Sequence, residues 1–180
     1  MIDIDKILLT EEFIGKMQKE PIKDYNVKKL LNNPNLDQSQ SIRFGSIFEG
    51  FIKGIISNFN YEIIHEEYIT INTNKKDVDI CFIMGDKIYY FESKINLNLD
   101  SEKSKATDKK ISDITSYLKT IHPNKKIVSG LITCWWEHEK GINVKTKTNL
   151  FYIKDFFKLM GITTTKENYY HTMKKFGELI

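Results

Sequence analysis

Cysteine, arginine and long apolar runs are what this chain has least of, and each shortage removes a class of answer. With only Cys81 and Cys134, there is no disulfide framework and no cysteine-built zinc site, which points to a reducing, cytoplasmic setting. No apolar run approaches the roughly 20 residues that cross a bilayer, and no signal peptide is expected at the start, so no membrane partner is expected. A glycine-rich phosphate loop is missing, which argues against ATP use. Arg43 is the sole arginine among 27 basic residues, and the net charge is only +3. Bulk charge alone therefore makes no case for nucleic acid.

What is present belongs to a folded protein. Hydrophobic residues make up 41% of the 180 and charged ones 28%, with no repeats, no low-complexity tract and no interdomain linker. The expectation is a single domain, 1–180, able to bury an ordinary core. The first thirty or so residues read as helical, with Ile7, Leu8, Phe13, Ile14, Met17, Val27, Leu30 and Leu31 apolar before Asn32-Asn33-Pro34 breaks the pattern. A second helix is predicted from about Ser39 to Asn58, because Phe44, Ile47, Phe48, Phe51, Ile52, Ile55 and Phe59 recur at a 3.6 period. Tyr61 to Ile71 reads as one strand, followed by a turn at Lys75-Lys76. Asp100 or Ser101 caps a long helix whose buried face is marked by Ile111, Ile114, Leu118 and Ile121 and whose end is set by His122-Pro123-Asn124. Ile127 to Cys134 is a buried strand, Leu150 to Ile153 a shorter one, and the tail is helical. The predicted class is α/β: a mixed β-sheet flanked by helices, in the order helix, three strands, helix, strand, with extra N- and C-terminal helices.

Chemistry concentrates in one hairpin. The run ICFIMGDKIYYF holds two alternating stretches joined at Gly85-Asp86, a two-residue turn signal. Pairing outward from Met84 opposite Lys87 brings Asp79 opposite Glu92 and Asp77 opposite Lys94. Side chains alternate along a strand, so these four polar residues are expected on one face. Val78, Ile80, Phe82, Met84, Tyr89 and Phe91 take the other. Two carboxylates and an amine on one sheet face make a candidate metal site. A β-bulge would exchange the roles of Asp79 and Asp77. Taken alone, Glu92-Ser93-Lys94 is a common tripeptide, and acid–lysine pairs across strands are often just solvated contacts.

In element order and motif, residues 39–134 resemble the PD-(D/E)xK nuclease superfamily, most closely its small type II restriction endonucleases. Val78 stands where that motif has proline, a residue often missing in the family. The resemblance implies a Mg²⁺ ion held by Asp79, Glu92 and the carbonyl of Ser93, since this hard cation takes oxygen ligands and lowers the pKa of an attacking water. Lys94 would hold that water and offset phosphate charge. Glu49, at the edge of the second helix's apolar stripe, would be an additional ligand; the plainer reading is a half-exposed glutamate. Sequence-specific cleavage of double-stranded DNA by a homodimer is implied, with a cognate methyltransferase protecting the host DNA. Arg43, Asn96, Asn98, Lys103 and Lys105 are candidate DNA contacts, each weighed against an ordinary solvated surface. Lys109 and Lys110 read as surface charge. A repair or junction-resolving nuclease, an exonuclease, or a non-catalytic DNA-binding module on the same fold are the alternatives. His65-Glu66-Glu67-Tyr68 lacks the second histidine of a zinc protease helix, and Trp135-Trp136 reads as buried packing or an interaction loop.

Overall fold

A computed structural model describes residues 4–11, 14, 29–33, 38–64, 67–139 and 144–179. The calls on Phe13, Met17, Val27, Pro34, His65 and Glu66 lie outside the described residues. The fold is α/β, built on a mixed five-stranded sheet in the order β1 (Glu62–Ile63), β4 (Ile80–Met84), β5 (Lys87–Ser93), β6 (Lys126–Thr133), β7 (Leu150–Tyr152), with helices before and after it in the chain. The chain divides into two compact units.

The first unit comprises Met1–Ile55, Cys134–His138 and Tyr152–Ile180. It holds α1 (Ile4–Leu8), most of α2 (Gln38–Asn58), α4 (Ile153–Leu159) and α5 (Lys166–Glu178). The predicted stripe of α2 is its core face: Phe44, Ile47, Phe48, Phe51, Ile52 and Ile55 are all buried. Phe44 packs 6.1 Å from Phe176, and Phe51 meets Phe157 edge-on at 6.5 Å. Each such aromatic contributes on the order of 1.5–3 kcal/mol on burial. Trp135 is buried as well, and Trp136 packs 5.8 Å from Tyr169, so this pair is packing rather than an open loop. Tyr169 carries its hydroxyl into the core and donates it to the Cys134 carbonyl at 2.6 Å, which satisfies the buried group.

The second unit comprises Ile56–Thr133 and Glu139–Phe151. Its strands are β1 (Glu62–Ile63), β4 (Ile80–Met84), β5 (Lys87–Ser93) and β6 (Lys126–Thr133), and β7 (Leu150–Tyr152) completes the sheet. β1, β4 and β5 are antiparallel, and β5 and β6 are parallel, joined by α3 (Ser101–Ile121). Such a parallel pair requires a crossover, which α3 supplies. Asp100 is its N-cap, accepting from Lys103 N at 2.8 Å, and His122 its C-cap. Ser104, Thr107, Ile111, Ile114 and Leu118 form the buried stripe. Ile121, expected on that stripe, is 39% exposed because it falls in the last turn before the cap.

One predicted element splits. Tyr61 to Ile71 is two strands in two sheets: β1 ends at Ile63, and β2 (Tyr68–Ile71) pairs with β3 (Asn74–Asp77) in a hairpin of its own. Its turn is Asn72-Thr73, both at positive φ as a type I′ turn requires, so Lys75 and Lys76 lie on a strand and not in the turn. The helix–three strands–helix–strand order survives with this hairpin set between its first two strands.

Candidate active site

The predicted turn forms at Gly85-Asp86, with Gly85 at φ 63° where a first central residue of a type II′ turn belongs. From there the ladder runs without a bulge: Met84 opposite Lys87, Ile83 opposite Ile88, Phe82 opposite Tyr89, Cys81 opposite Tyr90 and Ile80 opposite Phe91. One step further places Asp79 beside Glu92. The contact is made through the main chain, since the Ser93 N–H donates to Asp79 Oδ2 at 2.8 Å. Ser93 closes the parallel ladder with β6 opposite Ile132, and the Lys94 N–H donates to the Ile132 carbonyl at 2.9 Å. The motif thus sits where a strand central in the sheet runs out.

Asp77 does not reach this place. Antiparallel pairing with β5 stops at Ile80, and Asp77 is an exposed residue of β3 opposite Tyr68, not opposite Lys94. The chain changes partner at Val78, whose N–H donates to the Glu67 carbonyl. Three of the four expected polar residues therefore converge, and the fourth is diverted into the second hairpin. The reverse face is the expected apolar wall, with Val78, Ile80, Phe82, Tyr89 and Phe91 buried, but the motif face is covered as well. Both sides of β5 are covered, with Tyr90 and Glu92 as buried as Phe91, as expected for a strand flanked on both sides.

Lys110, on α3, completes the cluster. Its Nζ lies 2.5 Å from Glu92 Oε2 and 3.5 Å from Asp79 Oδ1, while Lys94 Nζ lies 2.8 Å from Glu92 Oε1. The Tyr90 hydroxyl adds a donor to Glu92 Oε2 at 3.3 Å. The Glu92 side chain is only 5% exposed, so its charge persists because each oxygen has a cationic partner. Burial would raise its pKa; the ammonium groups of Lys94 and Lys110 outweigh that and hold it below the usual carboxylate range. Asp79 moves the other way. Burial and then the neighbouring Glu92 charge raise its pKa, and Lys110 and the Ser93 amide offset this only in part. Burial disfavours the Lys110 charge too, but Asp79 and Glu92 more than reverse it. Two carboxylates whose environments push their pKa values apart are a common mark of a functional site.

The signal for Lys110 was legible in the spacing. It follows Thr107 by three residues and precedes Ile114 by four, which puts it beside the buried stripe, whereas Lys109 has a 74% exposed side chain and pairs with Asp113. The other predicted residues fall elsewhere. Arg43 and Glu49 are half-buried residues of α2 in the first unit. Asn96 and Asn98 are exposed beyond β5, where Asn96 Oδ1 accepts from the Asn98 N–H at 2.9 Å. Lys103 is exposed and has a local reason for its position, an ion pair of 3.2 Å with the cap Asp100. Lys105 is exposed.

Does this donor set fit Mg²⁺? Among the described residues no group of three or more His, Cys, Asp and Glu side chains gathers. Two carboxylates instead converge on one cation, the ammonium of Lys110. A hard cation that keeps several of its own waters needs little more than such a pair of oxygens, so the residues fit.

Fold and site together define an α/β domain carrying an acid, acid, lysine cluster at the ends of adjacent sheet strands. No family model matches the chain, and no curated protein sequence does. Among solved structures, it is similar to Can2 from Sulfobacillus thermosulfidooxidans in complex with cyclic tetra-adenylate, with a TM-score of 0.38 and 13% identity over 97% of this chain. The chain spans about half of that structure's length, 51%. Among the described residues no helix is long and apolar enough to cross a membrane.

Proposed function

We propose that this chain is a metal-dependent nuclease of the PD-(D/E)xK type, hydrolysing phosphodiester bonds in double-stranded DNA at specific sites. The observation that carries the reading is the convergence of the Asp79 and Glu92 carboxylates on one cation, with the Lys94 ammonium 2.8 Å from Glu92. Asp79, Glu92 and the carbonyl of Ser93 would hold Mg²⁺, which when bound supplies positive charge and a more acidic water. Glu92 would orient Lys94, whose two-residue offset along an extended chain puts it on the same side. Lys94 then keeps an ammonium where a phosphate oxygen gathers charge, at a partly buried site where that charge counts for more than in water. The carboxylates would bring a hard cation and no redox chemistry, which suits hydrolysis.

Glu49 as a further ligand, and Arg43, Asn96, Asn98, Lys103 and Lys105 as DNA contacts, belong to this proposal. So do a homodimer, a cytoplasmic setting and a protecting methyltransferase. The test is incubation of purified protein with a mixed set of plasmid and phage DNAs, with Mg²⁺ or with EDTA, beside Lys94→Ala. Discrete bands that need Mg²⁺ and vanish in the variant are expected. Nicking alone would replace restriction with a repair or resolvase activity. No cleavage of linear, branched or single-stranded DNA would overturn the nuclease reading.

A further inference from the structure

We propose that Lys110 is a resident counter-ion, which holds the Asp79–Glu92 pair together in the metal-free protein and competes with a divalent cation for the same oxygens. This inference rests on the metal reading above. Each carboxylate oxygen of the pair is assigned. Asp79 Oδ2 takes the Ser93 N–H, and Glu92 Oε1 takes Lys94. The remaining two, Asp79 Oδ1 and Glu92 Oε2, share the Lys110 ammonium, with the Tyr90 hydroxyl as a weaker donor to the second. Those shared oxygens belong to the two carboxylates that would hold a divalent cation. A buried pair of like charges is costly without a cation between them, and a cation held there relieves that cost.

Lys110 suits a part-time role. It is carried by α3 rather than by either strand of the motif, so its departure leaves the β4–β5 ladder intact. Its side chain is 21% exposed against 5% for Glu92, and four methylene groups let its head swing toward water while its stem stays packed. Lys94 differs: it directly follows the ligand strand and contacts the Glu92 oxygen that Lys110 does not. The two lysines thus divide the work, one beside the cation position and one in it.

The expected consequence is a weakened but preformed metal site, because cation uptake must expel a charge already there. The test is Mn²⁺ titration by calorimetry, at constant ionic strength and without DNA, on the unaltered protein, Lys110→Met and Lys110→Gln. Gln keeps a neutral hydrogen-bond donor and serves if Met does not fold. Removing the competing charge should tighten Mn²⁺ binding about tenfold, the scale of one modest ion pair. Adding Asp79→Asn should abolish the gain. Equal or weaker binding by the folded variants would overturn the inference, making Lys110 a structural strut, and would leave the metal reading standing. Absence of Mn²⁺ binding in every form would overturn the metal reading itself, and this inference with it.

Discussion

Two hairpins of the second unit have similar plans and opposite treatments of polar residues. β2–β3 and β4–β5 both close through two-residue turns with a positive φ at the first central position. In β2–β3 only Ile69 is buried, and Asp77, Lys75 and Tyr68 are exposed. In β4–β5 most residues are buried, and the polar ones at its end are tied into a network of two ammoniums, an amide and a hydroxyl. The difference is one of cost. An exposed Asp77 needs no partner and says nothing about chemistry, whereas a buried Glu92 persists only where partners repay its desolvation. Polar residues in the costly hairpin are therefore the ones to associate with function.

The sharpest way to break this comparison is to exchange the two aspartates as targets. Asp79→Ala should lower Mg²⁺-dependent DNA cleavage by roughly 10³-fold or more, the scale of losing a metal ligand or a principal charge stabiliser. Asp77→Ala should leave cleavage within about twofold, since surface substitutions rarely reach further. Rates on one plasmid substrate, with circular dichroism confirming folding, decide it. A greater loss for Asp77 would mean that the exposed hairpin carries the chemistry.

A second contrast is in stability. Phe91→Ala in β5 should cost about 3–5 kcal/mol, since it empties a site packed against Tyr89 and Phe151. Ile69→Ala, the one buried position of the other hairpin, should cost nearer 2 kcal/mol. Urea unfolding followed at several wavelengths measures both. Equal costs would show that the exposed hairpin is as firmly seated as the sheet.

How far the sequence carried these distinctions depended on which force set each feature. The β4–β5 register was readable from Ile80 to Phe91 because alternation and a Gly-Asp turn both specify it, and a one-residue slip would bury the wrong face. The stripes of α2 and α3 followed from period alone. The second hairpin was not readable: Tyr61 to Ile71 has no clean alternation, and the sheet a strand joins depends on distant partners such as the Glu67 carbonyl that receives Val78. Lys110 reads as surface charge in the sequence for a related reason: its spacing sets it beside the buried stripe but does not name its partner. A lysine at the edge of a helical stripe is usually solvated, and only the tertiary approach of α3 to the end of β5 brings it to Glu92. Asp79 and Glu92 were visible as residues, but their unequal electrostatics needed the ammonium positions.

That inequality gives a smaller effect of opposite signs. The folded pKa of Glu92 is lowered, so it contributes stability above its ordinary 4.5 that is lost as pH falls through the folded value. The folded pKa of Asp79 is raised, so its contribution is present below its ordinary 3.8 and is lost as pH rises through the folded value. Without added metal at neutral pH, Asp79→Asn should raise Tm by a few degrees, on the order of 1 kcal/mol, and Glu92→Gln should lower it. The Asp79→Asn gain should shrink as pH is taken down toward 3.8. Calorimetric scans from pH 4 to 7 in EDTA test both signs (pH values set roughly by the carboxylate range).

The smallest effect returns to the exposed turn. Thr73 holds φ at 69°, in the left-handed region that a β-branched residue populates only under strain, and Asn72 precedes it at 47°. Asn-Gly is the favoured pair for such a turn, so Thr73→Gly removes strain, against a smaller entropic gain by the unfolded chain. The Thr73 hydroxyl donates only to the exposed Asn72 carbonyl at 2.5 Å, a local bond that water replaces at little cost. A stabilisation of about 0.5–1 kcal/mol is expected, read as slower amide exchange across β2–β3 with β4–β5 unchanged. If protection rose in both hairpins together, the exposed hairpin would be part of the same cooperative unit as the site. Its indifferent polar residues would then report on the stability of the buried ones, and the division between costly and costless positions would hold for charge but not for folding.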